Sequence, residues 1–278
     1  MLSPALAVIG TFVVYPIIGT AYLSLTSWNG FAQTKQWVGL ANYGRLLHDP
    51  AFRNALTVTV FYGAGVCLLG VVTGLAVAVL LNGSFRGRGA YRVVFFLPVV
   101  TSSIAAATVW RYIFDDTGIV DEFLRLLHLP APNWLGQPHL ALLSLVLLTV
   151  WKNLGLNVVL YLTALQALPA SLYEAASIDG AGRWAQLRWL TVPLLAPMTF
   201  FVVLEGLIAS FQGFDLVYAL TGGGPLGGTE TLGFLTYREA FKLSSFGYGA
   251  SIAYAAFALV LGITLMQWRL GGREKWAL

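Results

Sequence analysis

"LTVTVFYGAGVCLLGVVTGLAVAVLL", residues 56 to 81, is an apolar stretch inside a charge-free run that extends from Asn54 to Phe85. A transmembrane helix needs roughly 20 consecutive apolar residues, because the hydrocarbon core of a bilayer is about 30 Å thick and a helix rises about 1.5 Å per residue. The run exceeds that length. It therefore predicts a membrane-spanning helix.

The composition of the whole chain points to the same class of protein. Of its 278 residues, 58% are hydrophobic and 10% are charged, whereas soluble domains carry about a quarter charged residues. Too little polar surface remains to cover a water-soluble particle. The formal net charge of +4 suits basic loops at a membrane better than nucleic-acid binding, which needs a clustered basic face. With Cys67 as the single cysteine, an intrachain disulfide is excluded and no Cys/His metal spacing can be drawn.

Five further apolar runs surround the quoted stretch. None has the alternating pattern of roughly ten-residue barrel strands, so all six runs are predicted to be helices. The predicted fold class is all-α, a polytopic membrane helix bundle with six transmembrane helices. The spans are Met1 to Thr34, Asn54 to Phe85, Val93 to Trp110, Leu140 to Leu165 (interrupted by Lys152), Leu190 to Phe214 (interrupted by Glu205) and Leu243 to Trp268.

The distribution of basic residues orients the bundle. The two sides carry nearly equal numbers of Lys and Arg, eight against seven. However, the eight basic residues of one side are concentrated in short loops beside span ends, as is typical of cytoplasmic loops. The side with the 2–3 loop, the 4–5 loop and the C-terminus is therefore predicted to be cytoplasmic. Its basic residues are Arg86, Arg88, Arg92, Arg183, Arg188, Arg269, Arg273 and Lys275.

The fourth and fifth spans are joined on this side by "EAASIDGAGRWAQLRWLTVPLLAP", residues 174 to 197. Helix formers from Glu174 to Ala176 precede Asp179-Gly180, a pair that predicts the end or a bend of a helix. A second helical stretch, Arg183 to Leu190, follows before Pro193. The small residues would let a partner approach closely. The pattern fits either two helices that dock on a partner protein or an ordinary amphipathic connector.

The same segment resembles the EAA loop of ATP-binding cassette (ABC) importer permeases. That pattern is Glu-Ala-Ala, three residues, Gly, nine residues, Ile, one residue, Leu-Pro. Leu190 and Val192 stand where Ile and Leu are usual, and Pro193 matches. The resemblance implies that residues 171–193 form a coupling loop gripped by an ATPase subunit. The implied coupling residues are Glu174, Ala175, Ala176, Asp179, Gly180 and Arg183.

Nearly the whole chain carries a resemblance to the maltose-type first permease of carbohydrate importers. The stretches concerned are WVGLANYGRLLHDPAFRNAL (37–56), YRVVFFLPVVTSSIAAATVWRYIFDDTGIVD (91–121) and FQGFDLVYALTGGGP (211–225). The resemblance implies a type I ABC importer transmembrane domain at 54–268. It would be preceded by a first transmembrane helix and external loop at 1–53 and followed by a cytoplasmic tail at 269–278. The implied location is the plasma (inner) membrane of a prokaryote.

We do not expect this chain to hydrolyse ATP. Its four lysines are followed by Gln36, Asn153, Leu243 and Trp276, so none completes the Gly-Lys-Ser/Thr of a P-loop. The resemblance implies that ATP and magnesium are bound by a partner ATPase dimer and that this chain binds no cofactor or metal. The other implied partners are a second permease subunit, an external substrate-binding protein, a sugar substrate and the lipid bilayer.

Polar residues within spans are costly and are therefore candidates for a substrate pathway. Asn153 and Asn157 share a face of the fourth span, and Glu205 and Gln212 share a face of the fifth. A sugar pathway needs such hydrogen-bonding groups together with flat aromatic surfaces. Alternatively, Lys152 and Glu205 pair with each other or with the partner subunit to hold the bundle. The predicted pathway residues are Trp151, Asn153, Asn157, Glu205, Phe211 and Gln212.

The glycine run at residues 222–224 has two interpretations. It is either a flexible external turn or, as the resemblance suggests, a contact with the binding protein through Gly223, Gly224 and Pro225. It is not a phosphate cradle, because it opens no helix with a lysine.

Other classes of function stay open beside the carbohydrate importer. A glycerol-phosphate importer of the same type would favour a cationic external pathway, and the outer loops are not cationic. An ion-coupled secondary transporter would need internal repeats and mid-membrane carboxylates. No repeat is evident, and Glu205 is the only acid within the predicted spans. A membrane enzyme is weaker still, since no nucleophile–base set or metal cluster is evident.

Overall fold

The structure is a computed structural model that describes residues 3–83 and 87–271, and most of these residues are helical. In chain order the α-helices are α1 (Ser3–Ile9), α2 (Tyr15–Ser24), α3 (Ala41–His48), α4 (Pro50–Asn82), α5 (Arg88–Val100), α6 (Ser103–Ile113), α7 (Ile119–Leu126), α8 (Pro138–Ala167), α9 (Ala170–Ile178), α10 (Arg183–Gln186), α11 (Val192–Leu194), α12 (Ala196–Gln212), α13 (Asp215–Leu220), α14 (Leu232–Tyr237) and α15 (Phe246–Gly271). π-Helical stretches at Gly10–Val14, Leu187–Thr191 and Arg238–Lys242 continue α1, α10 and α14. Strands β1 (Thr26–Ser27) and β2 (Gln36–Trp37) pair antiparallel, with Thr26 opposite Trp37.

The helices supply the predicted set of spans. Among residues 3–83 and 87–271, four helices are long and apolar enough to cross a membrane, and two bent helix pairs bring the number to six. The predicted all-α bundle of six transmembrane helices is confirmed. The unbroken spans are span 1 (Ser3–Ser24), span 2 (Pro50–Asn82), span 4 (Pro138–Ala167) and span 6 (Phe246–Gln267); the bent ones are span 3 (Gly89–Val100 with Ser103–Ile113) and span 5 (Arg183–Leu194 with Ala196–Gln212).

The start of span 2 is fixed by a helix cap. The Asp49 carboxylate accepts a hydrogen bond from the Ala51 amide at 2.9 Å. Pro50 occupies the first helical position, where a missing N–H breaks no intrahelical bond. The helix therefore begins four residues before the predicted Asn54, and it ends at Asn82.

Span 3 differs from the single continuous helix that was expected between Val93 and Trp110. Its two halves are bent by 100°. Pro98 removes a backbone donor from the last turn of α5, and Thr101 is extended, with φ −73° and ψ 148°. The Thr101 hydroxyl donates to the Pro98 carbonyl at 2.6 Å, so the side chain replaces a helical hydrogen bond at the break.

Other span limits also differ from the predicted ones. The predicted fifth span, Leu190 to Phe214, is divided near Leu195 by a bend of 65°. Span 1 ends at Ser24 because β1 follows, ten residues short of the predicted end. Span 6 begins at Phe246, three residues later than predicted.

Spans 2 and 4 form the centre of the bundle, and glycines bring them together. A Cβ at Gly65 would lie 3.1 Å from the side chain of Val146. A Cβ at Gly74 would lie 2.8 Å from the Cβ of Asn157. Small residues at such contacts let helix backbones approach closely, which is how membrane helices gain packing energy.

Three of the eight basic residues that orient the bundle, Arg86, Arg273 and Lys275, lie outside the described residues, with most of the tail predicted from residue 269. α15 continues to Gly271.

Candidate functional site

The segment that follows span 4 and includes the first half of the bent span 5, residues 170–194, begins with a sharply ended helix. Gly180 follows α9 with a φ of +82°. Its amide donates to the Ser177 carbonyl at 3.1 Å, and the Ala181 amide donates to the Ala176 carbonyl at 2.8 Å. This crossed pair of bonds is the Schellman arrangement, which satisfies the last carbonyls of a helix. The helix end predicted at Asp179-Gly180 is confirmed.

Side chains fasten α9 to the helix that follows it. Gln186 Nε2 donates to Ser177 Oγ at 2.9 Å and to the Ala181 carbonyl at 3.0 Å. The hydroxyls of Tyr173 and Thr191 lie 3.1 Å apart and share a hydrogen bond. Residues 170–194 therefore form one stiff unit, which we call the elbow. Sequence reasoning does not single out Gln186 or Tyr173, because their role depends on the angle between the two helices.

The outer surface of the elbow carries the predicted coupling residues. Glu174, Ala175, Asp179, Gly180 and Arg183 are exposed, and Ala176 is half-buried. Beside them, Ile178 and Trp184 are 86% and 73% exposed. Within the described chain, no ion-pair partner faces these charged residues. Large apolar side chains beside unpaired charges are the composition of a protein-binding surface.

The predicted pathway residues do not form one site. Phe211 and Gln212 line a cavity of about 370 Å³ between α12, α14 and α15. Trp151 packs elsewhere, with its ring centroid 5.5 Å from that of a tryptophan on α6. Asn153 and Glu205 are half-buried on spans 4 and 5. Their roles in a pathway stay predictions, and the cavity favours Phe211 and Gln212 among them.

Asn157 lies in helix packing rather than in a cavity. Its side chain is buried, with Nδ2 3.5 Å from the Gly70 carbonyl oxygen. Its Oδ1 has no hydrogen-bond partner among the described residues. Gly74 leaves just enough room for it between spans 2 and 4. A sugar can reach this amide only if the two spans separate, so Asn157 stays a prediction without support from an open path.

Lys152 has an intrachain partner that the sequence does not reveal. Its Nζ donates to the Thr101 carbonyl at 2.8 Å. The break in span 3 leaves that carbonyl at a helix end, where the partial negative charge of the backbone favours a cation. The direct pair of Lys152 with Glu205 is wrong, since it is not among the ion pairs of the described residues. The other form of that alternative, in which they pair with the partner subunit, stays a prediction.

The external glycine run is held in place, unlike a free flexible turn. Gly223 is buried with a φ of +86°, and a Cβ there would lie 2.6 Å from the ring of Phe234. Thr229 Oγ1 donates to the Gly224 carbonyl at 2.7 Å. A fixed turn can present a constant surface to a partner. The contact of Gly223, Gly224 and Pro225 with a binding protein stays a prediction.

A cavity of about 570 Å³ opens beside this turn and is lined in part by Glu230, Arg238 and Lys242. Arg238 is ion-paired with Glu230 and with Glu239, and both carboxylates are buried. Burial, only partly offset by the Arg238 guanidinium, raises the pKa of Glu230 above its ordinary value. The charge of Arg238 is thus already neutralised by the protein.

Comparison with known proteins places this architecture among membrane transport components. The profile of a family described as "Binding-protein-dependent transport system inner membrane component" matches residues 70–269. The probable ABC transporter permease protein YurN of Bacillus subtilis (strain 168) is 36% identical, over 99% of this chain and 96% of the relative. The trehalose/maltose transport system permease protein MalF of Thermococcus litoralis is 34% identical, over 98% and 92%.

A further relative has a different substrate in its name, and a solved structure shares the fold. The sn-glycerol-3-phosphate transport system permease protein UgpA of Yersinia enterocolitica is 32% identical, over 99% of this chain and 93% of the relative. A chain in the crystal structure of a bacterial alginate ABC transporter, in complex with an alginate pentasaccharide-bound periplasmic protein, has a TM-score of 0.84 at 21% identity. The match covers 99% of this chain and 94% of that one.

Proposed function

The chain belongs to the binding-protein-dependent transport system inner membrane components, and on that premise we propose that it is the permease subunit of an ATP-driven importer of carbohydrate. It is a multi-pass inner-membrane protein and a non-catalytic subunit. Its work is conformational. The proposal adds where the energy enters, which class of solute crosses and which partners complete the importer.

The elbow is the observation that carries the proposal. It is stiff, exposed and placed at one end of spans 4 and 5, with charged and apolar groups that the described chain leaves without partners. An ATPase dimer that binds ATP and magnesium would hold this surface. Closure of the dimer on ATP would carry the elbow as a rigid body. The bundle would then move between inward-open and outward-open packings, whose populations are set by the nucleotide.

Carbohydrate is the substrate class that the chemistry favours. The cavity at Phe211 and Gln212 offers an aromatic face and an amide, which are the groups that hold a neutral, hydroxyl-rich solute. The trehalose/maltose permease among the relatives supports the same class. We propose that an external binding protein delivers a mono- or oligosaccharide and that a second permease subunit completes the pathway.

A glycerol phosphate is the second candidate, and the similarity to UgpA at 32% identity is the observation in its favour. A phosphate needs an unpaired cation or a set of free donors. Arg238 in the outer cavity is engaged by Glu230 and Glu239, so an anion bound to it would have to displace a carboxylate. Lys242 lines the same cavity and has no ion-pair partner among the described residues, so this cavity also has a cation that an anion could use. The neutral solute is favoured instead by the cavity at Phe211 and Gln212, whose lining in the described chain includes no cation.

The test is ATPase stimulation in the assembled importer. The chain would be purified with its co-expressed neighbours and reconstituted, and ATP hydrolysis measured with the binding protein and a panel of neutral sugars and sn-glycerol phosphates. We expect a neutral sugar to stimulate hydrolysis. In Glu174→Ala the stimulation should be lost while the bundle stays folded, and the exposed external Glu122→Ala is the matched control.

Two results would overturn the proposal. Stimulation by a glycerol phosphate alone would move the chain to the second candidate. Solute uptake that persists in vesicles containing this chain without any ATPase would exclude an ATP-driven permease altogether.

A further inference from the structure

The loop between spans 3 and 4 contains an amphipathic helix, α7 (Ile119–Leu126), which the proposed transport function does not use. It begins six residues after α6 ends at Ile113. It lies at the opposite end of span 4 from the elbow, and a 30-residue helix separates the two by about 45 Å. α7 is therefore tethered at the outer surface of the bundle.

One side of α7 is fixed to the protein. Asp121 is buried, and its carboxylate accepts a hydrogen bond from the indole N–H of Trp134 at 2.9 Å. At the other end, the Leu129 amide donates to the Leu124 carbonyl at 2.9 Å, and His128 adopts a φ of 55°. The second bond closes the C-terminal end of α7, and the contact of Asp121 with Trp134 defines which side of the helix faces the protein.

The opposite side of α7 is a stripe of large apolar side chains. Ile119, Phe123 and Leu126 are 60%, 59% and 75% exposed. Spacings of four and three residues place them on one face. At about 100° per residue, the centre of this face lies about 170° round the helix from Asp121. Such a contiguous apolar face is unfavourable in water.

Aromatic packing ties α7 to span 3. The ring centroids of Trp110 and Phe114 are 5.4 Å apart, and those of Phe114 and Trp134 are also 5.4 Å apart. This row connects the end of α6 with Trp134, the residue that binds Asp121 of α7. Phe114 is buried and the Trp110 ring also packs 5.5 Å from that of Trp151 on span 4, so the row fastens α7 to the protein interior. Exposed Val109 and Tyr112 extend the apolar surface of span 3 up to α7.

We propose that α7 is an interfacial anchor that lies in the outer leaflet, with its stripe among the upper acyl chains and headgroups of the lipid. An amphipathic helix binds an interface through its apolar face and keeps its charged face in water. Glu122 at the edge of the stripe and Arg125 further round the helix are exposed and carry opposite charges, so the anchor needs no anionic lipid. It fixes the height of the span 3–4 loop relative to the membrane.

The test compares two positions on different sides of α7 in the full chain. In a Cys67→Ala background, Phe123→Cys and Arg125→Cys are labelled with nitrobenzoxadiazole and reconstituted in phosphatidylcholine nanodiscs. Position 125 is exposed and lies well away from the stripe on the helical wheel. Quenching is then measured with lipids that carry a doxyl group near the headgroup end of the chain, and with aqueous iodide. The label at position 123 should be quenched several-fold more by the doxyl lipid than the label at 125, and iodide should show the reverse order. Leu126→Cys is the second reporter on the stripe.

Three results would overturn the anchor. Equal access of iodide to positions 123 and 125 would place the stripe in water. Shielding of position 123 from both quenchers in the complex with a second permease subunit would assign the stripe to that protein. Loss of doxyl quenching when a binding protein is added would assign it to docking. None of these readouts depends on ATP hydrolysis or uptake, so they leave the proposed function untouched.

Discussion

Replacement of Gly180 by serine tests whether the geometry of the elbow transmits energy. Gly180 has a φ of +82°, and a Cβ built on it meets no atom within 4 Å. The cost of Gly180→Ser is therefore conformational, about 1–2 kcal/mol for a residue with a Cβ in the left-handed region. A cost of 1–2 kcal/mol is a factor of roughly 5–30 in an equilibrium. The ratio of the native elbow to its other conformations would therefore fall by about that factor.

This loss should appear in ATPase association and not in the fold of the bundle. A partner that binds only the native elbow has its apparent affinity reduced in proportion to the fraction of chains that hold that conformation. Because Gly180 is exposed, few contacts of the spans depend on it. We expect Gly180→Ser to weaken co-purification of the ATPase by up to roughly 5–30-fold and to leave the thermal midpoint of the permease nearly unchanged.

A matched control lies two residues away. Gly182 also meets no atom within 4 Å, but it has φ −69° and ψ 166° and forms the N-cap of α10. Serine is favoured at such a cap, so Gly182→Ser should couple normally. Gly180→Asn should be intermediate, because asparagine tolerates the left-handed region. Equal coupling in Gly180→Ser and Gly182→Ser would refute the reasoning, as would unfolding of the spans in the first variant.

Further predictions concern the interior of the bundle and the cavity. Lys152→Met removes a charged donor from the carbonyl at the break of span 3 and should cost about 1.5–3 kcal/mol, seen as a lower thermal midpoint in detergent. Gly74→Ala places a Cβ 2.8 Å from that of Asn157 and should cost about 1–3 kcal/mol by overpacking. Gly262→Ala meets nothing within 4 Å and should be neutral or stabilise by up to about 1 kcal/mol. Gln212→Ala should lower the rate of solute uptake while the importer still assembles.

Each of these has a result that contradicts it. A Lys152→Met variant that melts at the parent temperature would mean that the ammonium does not support the break. Equal melting of Gly74→Ala and Gly262→Ala would contradict the close approach of spans 2 and 4. Parental uptake kinetics in Gln212→Ala would remove the cavity from the pathway.

The number of spans could be predicted from the sequence because charge-free length is a direct consequence of bilayer thickness. The bends could not be predicted in this way. Hydropathy does not report backbone conformation, and the backbone break at Thr101 bends span 3 within a continuous apolar run. The bend also frees the Thr101 carbonyl that Lys152 binds, so the sequence could not reveal this partner either. The sequence indicated only that a cation inside a span needs a partner.

Part of the candidate site could likewise be predicted from the sequence, and part could not. Gly180 could be placed at a helix end because few other residues adopt a positive φ easily. The contacts of Gln186 and Tyr173 arise between two helices whose crossing angle no local pattern encodes. Periodicity likewise placed Asn153 and Asn157 on one face, but it could not identify span 2 as the neighbour that covers Asn157.

The side of the membrane on which the elbow lies is the most direct test of the transport mechanism. Glu174→Cys in a Cys67→Ala background would be treated with a membrane-impermeant maleimide in right-side-out and in inside-out vesicles. The proposed coupling predicts labelling in inside-out vesicles alone, with protection once the ATPase is bound. Labelling of intact right-side-out vesicles would contradict it, because an ATPase in the cytoplasm could not hold an elbow that faces outward.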